Sequence, residues 1–160
     1  MEGRITYLVP RRDNLEIWMV EVQNIGAKPR KLSAFSFVEW SLGNYAFNLI
    51  EAAFAQLFNE VSYEDNVLFA TMRFWNVLPS GAENPNLAWG KYAFLTSNID
   101  PDAFDTIEEE FIGLYRGWHN PLAVERGRCS NSIGDGRDIV GVLQHDFELA
   151  PGEEKRFLIL

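Results

Sequence analysis

The residues of this chain able to do chemistry are few and scattered. Cys129 is the single cysteine, set in Arg128-Cys129-Ser130-Asn131. Neither flank carries a cysteine-nucleophile signature, so it reads as a buried or incidental thiol. No G-x-S-x-G elbow is present to hold a serine as a nucleophile. Gly134, Gly136 and Gly141 approach a phosphate loop, but Ile139 occupies the place of the third glycine in G-x-G-x-x-G. The stretch also precedes a strand, whereas a phosphate cradle follows one and opens a helix. His145 lies on the apolar side of an alternating run and reads as a satisfied core histidine. His119, in Gly117-Trp118-His119-Asn120-Pro121, reads as a packed loop corner beside a tryptophan. Two histidines and one cysteine would need carboxylates to complete a zinc site. Carboxylates are plentiful, and a pair at suitable separation could cleave a glycosidic bond. The densest run, Asp100 to Glu110, holds six acidic residues (Asp100, Asp102, Asp105, Glu108, Glu109 and Glu110) and no basic one, and reads as a solvated loop or a short helix start. No self-sufficient catalytic site, metal site or cofactor is expected.

Composition narrows the classes further. The chain has 160 residues, 47% apolar and 23% charged, which suits one soluble globular domain over residues 1–160. The formal charge of −9 disfavours nucleic acid and anionic membranes as partners, because an acidic body repels phosphate before contact. No apolar run approaches the roughly 20 residues that span a bilayer. Met1-Glu2-Gly3-Arg4 lacks the pattern of a secretory leader, so a cytoplasmic location is expected. Aromatic residues make up 14% of the chain. Such rings pack cores by default, yet Trp75, Trp89 or Trp118, if exposed, could stack on sugar faces.

The elements that must position these residues are mostly strands. Arg4–Val9 alternates and stops at Pro10, and Leu15–Val22 carries apolar groups on both faces, as a strand inside a sandwich does. Asn24 to Pro29 reads as a hairpin loop, with Leu32–Trp40 returning to pair with the preceding strand. Tyr45 to Phe58 breaks the pattern: its apolar residues fall at helical spacing around much of the circumference, which predicts a short helical insertion. Val67–Phe74 and Lys91–Ser97 are strands, separated by a long connection from Asn76 to Ala88. Gly113 to Gly136 is irregular. Val142–Leu149 alternates, with Leu143, His145, Phe147 and Leu149 on one side and Gln144, Asp146 and Glu148 on the other. Pro151-Gly152 turns the chain into a last strand, Lys155–Leu160.

Four stretches, in order, resemble one family. They are Glu16 to Trp40 (E-I-W-M-V-E-V-Q-N, then K-P-R-K-L-S-A-F-S-F-V-E-W), Phe111 to Val124 (F-I-G-L-Y-R-G-W-H-N-P-L-A-V), Arg128 to Gly136 (R-C-S-N-S-I-G-D-G) and Leu143 to Phe157 (L-Q-H-D-F-E-L-A-P-G-E-E-K-R-F). Together they resemble the amino-terminal domain of the inverting disaccharide phosphorylases, the cellobiose and chitobiose phosphorylase family. This is glycoside hydrolase family 94, formerly glycosyltransferase family 36. The resemblance implies an all-β fold, a large antiparallel β-sandwich (supersandwich-like), here incomplete and carrying the helical insertion around residues 45–58. The implied reaction is reversible phosphorolysis, in which phosphate attacks the anomeric carbon with inversion while an aspartic acid protonates the leaving oxygen. That acid and the phosphate site belong to an (α/α)6 barrel that follows the sandwich in the family. The expectation is therefore a non-catalytic portion, truncated relative to the family domain and inactive alone, with a companion chain or domain carrying the barrel and homo- or hetero-oligomeric assembly.

One binding role follows from the resemblance. The insertion after the F-V-E-W strand, here Ser41 to Glu60, reaches toward the acceptor-sugar subsite in the family's dimers. Gln56 matches a sugar-facing glutamine, and Leu57 stands where the family pattern implies an arginine. Phe47, Leu49, Ile50, Phe54 and Phe58 equally suit a buried protein interface. Two other readings stay open: a stand-alone carbohydrate-binding module, and an association fragment without activity.

Overall fold

The computed structural model describes residues 1–42, 52–75, 86–88 and 91–160. The strands are β1 (Glu2–Leu8), β2 (Ile17–Gln23), β3 (Arg30–Glu39), β4 (Asn59–Glu64), β5 (Val67–Trp75), β6 (Asn86–Ala88), β7 (Ala93–Thr96), β8 (Ala103–Ile107), β9 (Ile139–Leu149) and β10 (Glu154–Ile159). Short helices are α1 (Ala52–Ala55), α2 (Glu108–Ile112) and α3 (Leu122–Arg126), with a 3-10 turn at Gln56–Phe58. No helix among the described residues is long and apolar enough to cross a membrane. The fold is all-β, as expected, built from antiparallel sheets: β1-β2-β10, β3-β9-β8, and a third in which β5 pairs with β4, β6 and β7.

The expected hairpin between the second and third strands does not form. β2 is flanked by β1 and β10, whereas β3 pairs with β9 over the whole register from Arg30↔Leu149 to Glu39↔Val140. The loop from Asn24 to Pro29 thus carries the chain from one sheet to another. The Pro151-Gly152 turn does the same between β9 and β10. β2 is the central strand of its sheet, with Trp18 and Val20 turned to the core and Met19 38% exposed on the other face. That composition fits either neighbour, so alternation could not choose the partner.

The two crossings meet at Asn24, whose side chain and backbone are fully buried. Its backbone N–H donates to the Glu153 carbonyl at 2.9 Å, and its carbonyl accepts from the Gly152 N–H at 2.8 Å. Its side-chain amide donates to the Lys28 carbonyl at 2.8 Å and the Leu149 carbonyl at 3.0 Å, while Oδ1 accepts from the Gly26 N–H at 3.1 Å. Every polar group of one asparagine is used to close both crossings.

The largest core cluster lies between the sheets. Trp18 and Val20 of β2, with Phe157 and Ile159 of β10, pack with Ala34 and Val38 of β3, Leu143 of β9 and Leu68 of β5. Sheet β3-β9-β8 is covered on its other face as well. There Phe35, Phe37, Val140 and Val142 pack against Phe111 and Ile112 of α2, Ala123 of α3, and Cys129. Two-sided cover explains why β9 opens as an apolar run, Ile139 to Leu143. It also corrects the expected polar face: Gln144 is fully buried. Gly141 is required at this level, because a Cβ there would stand 2.7 Å from the Trp40 ring and 2.9 Å from Val38.

Several expected boundaries shift. The helical insertion around 45–58 falls partly outside the described residues, which begin again at α1. The helical stretch gives way at Asn59 to β4, a strand not anticipated. Its hairpin to β5 turns on Asp65 and Asn66, both at positive φ (51° and 65°), the geometry of a two-residue turn that Asp and Asn tolerate. Most of the long connection after Phe74 lies outside the described residues, though Asn86–Ala88 is strand β6. The acidic run is not a solvated loop: Ala103–Ile107 is β8, paired with β9, and Asp105 and Thr106 are fully buried.

Asn24→Ala leaves the buried Leu149 carbonyl and the part-buried Lys28 carbonyl without this donor and is expected to lower unfolding stability by about 2–3 kcal/mol. Asn24→Asp keeps the shape but sets a carboxylate against those carbonyls, so its urea midpoint at neutral pH is expected below that of Asn24→Ala.

Candidate functional site

Gln56 sits in the 3-10 turn that joins α1 to β4, half-buried. Among the described residues its side-chain amide makes no hydrogen bond, which leaves it available to a ligand. Leu57 beside it is 60% exposed, and Phe54 packs on Phe58 with ring centroids 5.2 Å apart. Tyr45, Phe47, Leu49 and Ile50 of the same insertion lie outside the described residues.

The turn borders a hollow of about 340 Å³ lined by Leu57, Phe58, Asn59, Glu60, Arg73, Asp135 and Gly136. Its far wall is the end of the Arg128–Gly136 stretch, which sequence reading set apart from the insertion. The structure brings the two together. The Gly136 N–H donates to the Asn59 carbonyl at 2.9 Å, and Asn59 Nδ2 donates to the Arg137 carbonyl at 3.2 Å. The Val61 N–H donates to Asp135 Oδ1 at 2.9 Å. Across the hollow, Arg73 Nε pairs with Glu60 Oε1 at 2.5 Å, an exposed ion pair that adds little stability but presents a donor fork and an acceptor side by side. Glu60, Arg73 and Asp135 were not singled out from sequence. Their signal was Asp135 within the quoted S-I-G-D-G, next to a glycine at φ +66°.

The loop behind the hollow is anchored on Asp105. This fully buried carboxylate accepts from the backbone and hydroxyl of Ser130 (Oδ1 at 3.0 and 2.6 Å) and of Ser132 (3.0 and 2.8 Å). Thr106 Oγ1 donates to the Ser132 carbonyl at 3.0 Å. Gln144 completes the anchor: its Oε1 accepts from the Cys129 N–H at 2.7 Å, and its Nε2 donates to the Gly127 carbonyl at 3.1 Å and to Asp146 at 2.9 Å. Four donors spent on one carboxylate make Asp105 the anchor of this loop. Burial first, then the charge of Asp105, push the Cys129 thiol well above its ordinary range, so it is no nucleophile.

The remaining titratable groups sort the same way. His145 is buried, and among the described residues its Nε2 has no hydrogen-bond partner, so it is only partly satisfied as a core histidine. Desolvation lowers its pKa, opposed by a backbone hydrogen bond to Ile99 and by the charges of Asp102 and Asp146. Glu108, at the start of α2, is pushed up to about 7 by desolvation first, then by its hydrogen bond to Asp138 and repulsion from Asp138 and Glu39. No group of three or more His, Cys, Asp or Glu among the described residues is arranged to hold a metal ion.

Of the tryptophans, Trp118 is 60% exposed, with its ring edge-on to Phe37 at 4.6 Å. Its loop is shaped by the Gly117 N–H donating to Asn120 Oδ1 at 3.3 Å, and by Arg116 pairing with Glu125. Tyr115 stands in the left-handed region at φ 60° and is 99% exposed. His119 is exposed too, not packed. Trp75 ends β5, and Trp89 lies outside the described residues.

A family model described as the glycosyl hydrolase 94 supersandwich domain matches residues 1–160. The chain is 35% identical over 164 residues to an N,N'-diacetylchitobiose phosphorylase of Vibrio proteolyticus, covering 98% of this chain and 18% of that protein. It is 33% identical over 150 residues to a solabiose phosphorylase of Paenibacillus borealis, covering 91% and 18%. The chain thus spans less than a fifth of the length of the curated relatives it matches.

Two outcomes follow for stability. Asp105→Ala strands four donors and is expected to cost about 3–5 kcal/mol, against about 1–2 for Ser132→Ala, measured by urea unfolding. Glu108 binds its proton more tightly folded than unfolded, so its contribution is present below the unfolded pKa near 4.5 and lost as pH rises through about 7. Glu108→Gln is therefore expected to raise the urea midpoint at about pH 8 and to leave it nearly unchanged at about pH 4.

Proposed function

The chain belongs to the glycosyl hydrolase 94 supersandwich family, and we propose that it is the non-catalytic sandwich portion of a glycoside phosphorylase, serving assembly and the rim of the acceptor-sugar site. The carrying observation is the hollow beside Gln56. An Arg73–Glu60 pair, Asn59 and the Asp135 loop line a space of sugar size next to the turn that holds Gln56, and offer both donors and acceptors. Equatorial hydroxyls of a pyranose are recognised by such mixed sets. Leu57, where an arginine is implied, leaves the contact to Gln56 and Arg73.

Bond cleavage is assigned to a companion chain or domain carrying the barrel. The strongest candidates for acid chemistry on this chain, Asp105 and Glu108, support that division. The first is consumed by two serines, and the second lies with Asp138 and Glu39 at the end of sheet β3-β9-β8. In the relatives named for phosphorolysis, the matched portion is 18% of the length. A second reading, a stand-alone sugar-binding module, draws on exposed Trp118 and Tyr115.

The test is amide-resolved NMR of the chain titrated with N-acetylglucosamine, chosen because two relatives are named for diacetylchitobiose. Shifts are expected at residues 56–60, 73 and 135–136 and are lost in Gln56→Ala. Shifts confined to residues 115–120 favour the second reading, and none at all rejects both. Release of a sugar 1-phosphate by the purified chain with disaccharide and phosphate would overturn the non-catalytic assignment.

A further inference from the structure

The loop from Ser132 to Asp138 forms the far wall of the hollow, and four consecutive residues, Asp105 to Glu108, grip it along its length. Asp105 accepts from the N–H and hydroxyl of Ser132. Thr106 Oγ1 donates to the Ser132 carbonyl at 3.0 Å and accepts from the Gly134 N–H at 3.3 Å. Ile107 packs against Gly134, where a Cβ would stand 2.6 Å from its Cδ1. Glu108 closes the grip: its N–H donates to the Asp138 carbonyl at 3.1 Å, and its carboxyl is hydrogen-bonded to the Asp138 carboxyl. Between these ends Asp135 accepts from the Val61 N–H, and Gly136 donates to the Asn59 carbonyl.

The last hold differs from the others because it joins two acids. Two carboxyl groups share a hydrogen bond only while one of them keeps its proton. The charges that bear on Glu108 are Asp138, just before β9, and Glu39, at the end of β3, and both are acidic. On its own helix Glu109 and Glu110 follow it. On α3, which packs against α2, Glu125 pairs with Arg116, and Arg126 is exposed. Arg137, next to Asp138 in sequence, sets its Cδ beside Gly134. No ion pair joins Glu39, Glu108 or Asp138 to a base among the described residues, and the segments outside them contain no Lys or Arg.

We propose that the Glu108–Asp138 pair is a proton-operated latch on the wall of the hollow, so that the hollow holds a sugar more weakly as pH rises above neutrality. The inference rests on the acceptor-rim reading for its ligand and adds regulation to that site. With one proton between the two carboxyls, the loop is fixed at both ends. Loss of the proton leaves two facing anions with Glu39 nearby, and the Asp138 end is pushed from α2. The displacement reaches the hollow through Arg137, whose carbonyl accepts from Asn59 Nδ2 at 3.2 Å, and then through Gly136 and Asp135. The Ser132 end stays fixed, because its bonds need no proton on Asp105. Desolvation and the two acidic neighbours put the transition at about pH 7. Glu108 and Asp138 do not line the hollow, so they are positioning residues. Proton and sugar favour the same loop, and each therefore strengthens the binding of the other by the same factor.

Carboxyl and amide NMR of the chain from about pH 5 to about pH 9, with and without N-acetylglucosamine, tests the latch. In the free chain the Glu108 and Asp138 carboxyls and the Val61 and Gly136 amides are expected to share one midpoint, at about 7. The dissociation constant for N-acetylglucosamine is expected to rise about fivefold between about pH 6 and about pH 8.5. Glu108→Gln supplies a permanent donor to Asp138, and is expected to abolish the amide titration and keep the tighter constant at both pH values. Asp138→Asn removes the second acid, and is expected to return Glu108 toward the ordinary carboxylate range and to flatten the affinity profile. Carboxyls that titrate in their ordinary range in the parent, amides that do not follow them, or a constant equal at both pH values each overturn the proposal. A pH-dependent constant that survives in both variants overturns it too. Absence of sugar shifts at every pH rejects the acceptor-rim reading and the sugar half of the proposal, while the free-chain titration still decides the latch.

Discussion

A chain that leaves one sheet for the facing one gives up strand pairing at the crossing, and the peptide groups there must find other partners. This sandwich makes that passage twice at the same place, between β2 and β3 and between β9 and β10. Asn24 answers both at once. Its backbone ties to Gly152 and Glu153, and its side chain ties to Lys28 and Leu149. A short side chain with two donors and one acceptor is the only common kind that can serve two carbonyls and an N–H from one buried position. With the crossings closed, β10 can lie beside β2 while β9 lies beside β3. Trp18, Phe157 and Leu143 are then brought into one cluster.

The dependence continues outward from that core. Because β9 is covered on both faces, its second face needs partners, and Gln144 and Asp105 take them from the loop between α3 and β9. Those bonds fix Ser132, and within four residues the same loop supplies Asp135 to β4 and Gly136 to Asn59. The turn holding Gln56 is thus positioned by a buried carboxylate on the far side of the loop. The hollow beside it thus depends on groups that do not line it. The loop between them needs no regular structure of its own, because each polar end is tied to a strand.

What was legible in the sequence was legible through period. β1, β2, β3, β5, β7, β9 and β10 follow alternation and their turn residues, and the all-β class follows from them. What escaped was pairing and burial of charge. β2 could not declare its neighbours, since a two-sided apolar strand suits any partner, and only Asn24, a residue that also reads as ordinary turn chemistry, marked the crossing. β8 was hidden because Asp105 raised the acidic density of its segment, although A-F-D-T-I alternates. β4 was hidden behind the helical spacing that runs into Phe58, while Asp65-Asn66 offered a turn signal that went unused. Gln56 was reachable only through resemblance, since a lone glutamine carries no pattern. Arg73 and Glu60 come together by strand pairing across β4 and β5, which no local window contains.

The same separation between period and pairing bears on how the hollow is built. Strand order, not motif, brings its parts together: the hollow at Gln56 is built from β4, β5 and the loop preceding β9. No periodicity along any one of them announces the site, because the pieces meet only through pairing.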